Sequence, residues 1–205
     1  NRMSNNEVHL IGVAAAPPQK THTIFGESFY RLIVRTERTS KATDDIPVTI
    51  SEKLFPMRYI EEGDRVEICG EFRSKNKDED GKRHLILYVF ARRADLCVER
   101  QESVNRVDLR GFLCRSPVRR QTPLGREIAD LMLAVNRRYG RADYLPCLAW
   151  GRDAAFAETL RAGDCVEISG RIQSRNYIKK IGDCECRKTA WEVSCQSLSL
   201  CEEDC

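Results

Sequence analysis

Long apolar runs are missing from this chain of 205 residues. The longest, Leu85 to Ala91, spans seven positions, far short of the roughly 18 that a membrane-crossing helix needs. No basic start followed by an apolar stretch and a small-residue cleavage site is present, so no secretory leader is expected in these residues. Histidine is scarce. His9, His22 and His84 are the three, all in the first half and unrelated by spacing. No G-x-x-x-x-G-K-[ST], H-E-x-x-H or G-x-S-x-G segment occurs, which removes the usual signatures of phosphate-loop, zinc-protease and serine-hydrolase chemistry. An enzyme is therefore not expected, and no cofactor.

Cysteine is moderate at ten residues, below the density of disulfide scaffolds. Cys184-x-Cys186 with Cys195, Cys201 and Cys205 invites a metal reading, but no C-x₂-C pair and no second-half histidine support it. No metal is expected. Cys147 stands where the first half has Val48, the behaviour of a buried thiol in a reducing, cytoplasmic setting.

What is present is a repeat. Asn6-Glu7-Val8-His9-Leu10-Ile11-Gly12 returns as Asn105-Arg106-Val107-Asp108-Leu109-Arg110-Gly111. Gly26 returns as Gly125 and Pro47 as Pro146. Gly63-Asp64-Arg65-Val66-Glu67-Ile68-Cys69-Gly70 returns as Gly163-Asp164-Cys165-Val166-Glu167-Ile168-Ser169-Gly170. The offset is 99, and 100 after a small insertion near Ser51. One module is used twice. We expect modules over 5–99 and 104–200, with 201–205 as a short acidic tail.

The two modules differ in charge. Residues 1–102 hold 17 Lys and Arg against 17 Asp and Glu, whereas 103–200 hold 17 against 11. The surplus of the second module suits a polyanionic partner, although mixed surface charge alone also produces such numbers.

Periodicity predicts an all-β module with one short helix. In the second copy, Val107, Leu109, Gly111 and Leu113 alternate as a half-buried strand. Pro117 and the turn Thr122-Pro123-Leu124-Gly125 end it. Strands follow over 128–135, 144–150, 165–174 and 189–198. Between the third and fourth, 154–160 reads as a helix with Ala155, Phe156 and Leu160 on its apolar face, closed by Gly163. Trp191 shares parity with Val193 and Cys195 and is assigned to the core. This order is that of the OB-fold, a five-stranded Greek-key barrel. Two tandem barrels are expected, with one short helix each.

Asn105-Arg106-Val107 with Gly111, Thr122-Pro123-x-Gly125, Leu133-Ala134-Val135-Asn136-Arg137, Leu148-Ala149-Trp150-Gly151 and Gly163 to Arg175 resemble the bacterial single-stranded DNA-binding protein family. The likeness covers nearly all of the second module. The first resembles the family more weakly, through Asn6, Val8, Leu10, Gly12, Gly26, Pro47 and Gly63 to Gly70. Two barrels per chain is similar to the arrangement in which two chains supply four barrels, which implies a homodimer.

The resemblance implies sequence-independent binding of single-stranded DNA in replication, recombination or repair. Such binding needs flat faces for unpaired bases and cations for the phosphates. At the family's aromatic positions stand Tyr139, Tyr144, Trp150 and Tyr177. Arg137, Arg138, Arg141, Arg152, Arg171, Arg175 and Lys179 are the expected phosphate contacts. In the first module the matching positions are Ser40, Asp45, Ser51 and Lys77. Its weaker contacts would be Arg38, Arg73, Lys75 and Lys77, and its main role would be assembly, unless it uses other aromatics such as Phe25, Phe29 or Tyr30. Two other readings stay open: a primosome-type interaction protein, which has no need of the second module's aromatics, and an RNA-binding barrel. Family members recruit replication and repair proteins through an acidic tip with an apolar end. Leu200 to Cys205 is acidic but has neither a linker nor that apolar end, so replication or repair proteins stay among the partners the resemblance implies while no recruiting tail is evident in these residues.

Overall fold

The computed structural model describes residues 4–202; of the expected acidic tail, 203–205 lie outside them. Twelve strands follow in chain order: β1 Asn6–Ala14, β2 Gln19–Ile24, β3 Glu27–Glu37, β4 Thr43–Ser51, β5 Arg65–Glu79, β6 Lys82–Leu96, β7 Val104–Leu113, β8 Val118–Gln121, β9 Glu127–Asn136, β10 Ala142–Trp150, β11 Cys165–Ile181 and β12 Cys184–Leu200. They form one sheet in the order β2-β3-β4-β6-β5-β1-β7-β11-β12-β10-β9-β8, and it closes on itself twice, through β1–β3 and β7–β9. The result is two OB-fold barrels. In each, the third and fifth barrel strands meet in parallel, Val48 against Val89 and Cys147 against Val193.

The closures explain two glycines. A Cβ on Gly111 would collide with the carbonyl of Ala134 where β7 crosses β9. A Cβ on Gly170 would collide with Ser194 O at the register shift between β11 and β12. Strongly bent strands approach too closely there for any side chain. The alternation read from the sequence fills the interiors. Leu10, Leu32, Ile46, Ile68 and Phe72 are fully buried in the first barrel, and Leu131, Leu133, Leu145, Ile168 and Ile172 in the second.

Several expectations need correction. Each module carries a sixth strand, β2 or β8, an exposed hairpin partner of β3 or β9. The helix α1 runs Gly151–Glu158, and its buried residues are Ala154 and Ala157; Ala155 faces solvent. Only the second module has an α-helix. The first has a 3₁₀ turn, Met57–Tyr59, begun by Pro56. Proline lacks an N–H and disfavours helix at the residue before it, whereas the alanines after Arg152 are the best helix formers. Cys165 and Cys201 are joined as a disulfide between the start of β11 and the end of β12. That departs from the reading of the cysteines as thiols, although Cys147 and Cys195 are buried thiols as expected.

The modules join edge to edge. β1 pairs antiparallel with β7 about Val8–Val107, from Asn6–Leu109 to Ile11–Val104. A pseudo-two-fold axis at that point repeats the polar contacts on both sides. Arg38 binds Asp44 through two hydrogen bonds of 2.8 and 2.6 Å, and Asp44 accepts from the backbone N–H of Ser174 at 2.9 Å. In mirror fashion Arg137 binds Asp143, which accepts from the N–H of Ser74 at 2.9 Å. Both carboxylates are buried. Burial alone would push Asp44 up, but Arg38 and the Ser174 amide more than offset it and hold it below its ordinary value. A buried carboxylate needs such partners.

Candidate nucleic-acid interface

The outer face of the second barrel carries a groove. Trp150 ends β10, with Leu148 two residues before it on the same face, and Ile128 lies opposite Trp150 on β9. Together they form an apolar wall. Gln173 and Arg171 approach from β11, Glu192 and Ser194 from β12, and Arg120 and Arg126 from the β8–β9 hairpin. Arg38 of the first module closes the junction end. The cavity is about 580 Å³ and open to one side.

Each part is held. The Trp150 indole N–H donates to Ser194 Oγ at 3.0 Å, fixing the ring at the wall instead of in the core. Arg119 ties the hairpin to α1 through Glu158 at 2.6 Å. Arg120 is paired to Asp130. Arg171 has a buried Nε with no partner. Burial lowers its affinity for the proton, the like charge of Arg38 adds to this, and Asp44 opposes it. A guanidinium so placed is short of an anion.

Of the residues predicted from the sequence, the groove gathers Trp150, Arg171, Arg175 and Arg38. Arg171, Gln173, Arg175, Tyr177 and Lys179 alternate along one side of β11, so the same face continues up the β11–β12 arm. Tyr177 is exposed there. Tyr144 shares the outer face of β10 with Trp150, six residues and about 20 Å away. It is 46% exposed, beside the module junction, where its N–H donates to Ser74 Oγ at 2.8 Å. Tyr139 stands at the β9–β10 turn with its ring 97% exposed and a left-handed φ of 70°. A bulky residue held in that region costs about 1–3 kcal/mol, so the turn presents an aromatic ring to solvent at some cost. Arg138, Arg141 and Arg152 are exposed around it and at the start of α1.

Three predicted contacts are engaged otherwise. Arg137, expected on the phosphates, is held by Asp143 and also donates to Ser74 O at 3.2 Å. It is a bridge between modules. Arg38 reaches the groove but is likewise tied to a buried carboxylate, Asp44. Arg73 sits over the Phe90 ring, its guanidinium carbon 4.1 Å from the centroid, and pairs with Glu71 at 2.9 Å. Lys75 and Lys77 are exposed on β5. Trp191, assigned to the core, is only partly buried, and its indole N–H donates across the junction to Asp45 O at 2.8 Å. Sequence reasoning missed Arg120, Arg126, Glu192 and Ser194. The bases were visible, but not the β8–β9 register that turns them toward Trp150.

Fold and groove together define a tandem OB-fold protein with an open, arginine-lined channel on its second barrel. The single-strand binding protein family matches residues 104–201. A single-stranded DNA-binding protein of Clostridium tetani is 38% identical over 106 residues, covering 48% of this chain and 71% of that one. The single-stranded DNA-binding protein A of Bacillus subtilis is 36% identical over 106 residues, covering 48% of this chain and 60% of the relative. A crystal structure of a deletion mutant of the Thermus aquaticus single-stranded DNA-binding protein aligns over 97% of this chain and 95% of its own, at a TM-score of 0.75 and 26% identity. The chain belongs to the single-strand binding protein family, and both barrels, not only the matched one, are shared with the Thermus structure. Against the Bacillus relative it spans about 60% of the length.

Proposed function

We propose that this chain binds single-stranded DNA without sequence preference and protects it during replication, recombination or repair. The observation that carries this is the placing of the Trp150 indole in a groove with Arg171, Arg175 and Arg126. Flat rings take unpaired bases of any identity, and cations follow the phosphates. Trp150, Tyr144, Tyr139 and Tyr177 supply the stacking faces. Arg138, Arg141, Arg152, Arg171, Arg175 and Lys179 supply the track. Bases enter edge-free, so no donor or acceptor pattern is read and sequence is ignored. Two copies of the chain assemble into a homodimer of four barrels in the cytoplasm.

A fluorescence titration with poly(dT) tests the reading, since Trp150 and Trp191 are the only tryptophans. Stacking on Trp150 quenches its emission strongly. A chain that neither quenches nor retards poly(dT) in a gel overturns the proposal. A preference for poly(rU) over poly(dT) would redirect it to RNA.

A further inference from the structure

One residue of the second barrel's groove does not suit a surface built only for phosphate. Glu192 is the single acid among the residues that line it, set among Arg38, Arg120, Arg126, Arg171 and Arg175. It is buried. A carboxylate taken out of water costs free energy, and beside a bound strand it also repels phosphate. The fold does not call for an acid there. Gln173 faces Glu192 across the β11–β12 ladder, and at the matching register of the first barrel Arg73 faces Tyr88.

The carboxylate is held in place on one side only. Gln173 Nε2 donates to Glu192 Oε1 at 3.0 Å, and Arg175 Nε lies 3.6 Å from the same oxygen. Gln173 is itself positioned, since its Oε1 accepts from Arg171 at 3.3 Å. The negative charge of Glu192 also acts on Arg38 and Arg120. Both close partners fall on Oε1. Oε2 accepts no hydrogen bond from the described residues. Nor is it a sealed atom, because among the described side chains only Arg171 Nε is both buried and unpartnered. Oε2 therefore opens on the groove. Trp150 sets the distance. Its indole N–H donates to Ser194 Oγ at 3.0 Å. Ser194 stands two residues from Glu192 on the same face of β12, about 7 Å along the strand. A base stacked on the indole can reach that far with its edge, and the groove has room for a nucleotide.

We infer that Glu192 reads one base of the bound strand, and that the base it selects is guanine. A carboxylate is an acceptor only, so it selects by the donors on a base edge. Unpaired bases present their Watson–Crick edges to such groups. Guanine offers two adjacent donors there, N1–H and the N2 amino group, whereas thymine, cytosine and adenine offer one each. Oε2 takes one of guanine's donors, and the second lone pair of Oε1 is open to the other. Gln173 and Arg175 act as positioning residues, fixing the carboxylate and offsetting its charge. The inference rests on the proposed function and refines it at one nucleotide; every other position of the track still takes any base. It departs from the plainer reading in which Glu192 only braces Gln173 and Arg175.

The test measures binding of the full chain to a labelled oligo(dT) of about 8 nucleotides, within the usual range per OB fold, and to the same strand with one central guanine. Wild type should bind the guanine-bearing strand about tenfold more tightly, the size of one good carboxylate–base contact. Inosine in place of the guanine lacks the N2 amino group and should lose most of that gain. Glu192→Gln keeps the length of the side chain and an acceptor for Gln173 Nε2. It should bind the guanine and thymine strands alike, with oligo(dT) affinity no weaker than wild type. Equal binding of the two strands by wild type overturns the inference, whatever the variant does. So does a guanine preference that survives in Glu192→Gln. A wild-type chain that binds neither strand overturns the proposed function itself, and this inference with it. Should Glu192→Gln fail to melt cooperatively, the wild-type comparison of guanine with inosine decides alone, and equal affinity for those two would overturn the reading.

Discussion

The two barrels have one skeleton and opposite surfaces. At matching places the second has Trp150, Arg171 and Ile128, and the first has Ser51, Glu71 and Phe29. The interior positions stay apolar or thiol in both copies, Phe72 against Ile172 and Val48 against Cys147, because a buried site accepts no unpartnered polar group. The outer face has no such constraint, so its chemistry is free to move between strands.

The largest test of this contrast removes the second barrel's best ring. Trp150→Ala with Tyr144→Ala should weaken oligo(dT) binding by about 2–5 kcal/mol, read by anisotropy of a labelled oligomer. A double variant that binds like wild type would place the affinity elsewhere and erase the difference between the modules. Next comes the junction that keeps the barrels in one frame. Asp44→Asn removes the charge that holds Arg38 while leaving an acceptor for the Ser174 N–H, and should cost about 1.5–3 kcal/mol in urea unfolding. Acid should act at the same place. Asp44 is held below its ordinary value in the folded chain, so its contribution is complete above the unfolded value near pH 4 and is lost as pH falls through the lower folded one. An acid titration of wild type against Asp44→Asn checks the sign: the stability gap narrows as pH falls. A gap that widens would reverse the assignment.

Smaller in effect is the salt response. With Arg137 and Arg38 bound to carboxylates, about five to seven cations remain for phosphate, giving a log K against log[salt] slope of roughly −3 to −5 on a single strand. A slope near zero would mean that charge does not distinguish the barrels. The smallest effect concerns assembly. The β1 and β7 edges are already paired with each other inside the chain, so a homodimer must use another surface. Light scattering should give twice 23.5 kDa at micromolar concentration, and a mass of 23.5 kDa would count against it.

Much of the fold was legible. The repeat, the period-two alternation and the glycines at the barrel closures are local or near-local signals, and each strand expected in the second module is present. The helix was misplaced by about three residues because its start depends on where Trp150 leaves the sheet. Its buried side fell to Ala154 and Ala157 for the same reason. The site was half legible. Trp150 was named through the family resemblance, Arg171 and Arg175 as bases near it in the sequence, and all three line the groove.

Sequence alone determined that one barrel is used twice, because hydrophobic periodicity and turn residues act within a few positions of themselves. It also fixed which module keeps tyrosines and a tryptophan at the family's places. Only the tertiary structure decided what each arginine faces. Asp44 meets Ser174 and Trp191 meets Asp45 from more than a hundred residues away, and Phe90 meets Phe29 and Arg73 through the ladders between β3, β4, β5 and β6. A charged or aromatic side chain is defined by its neighbours in space. Those neighbours follow from strand register, which no single segment of this chain contains.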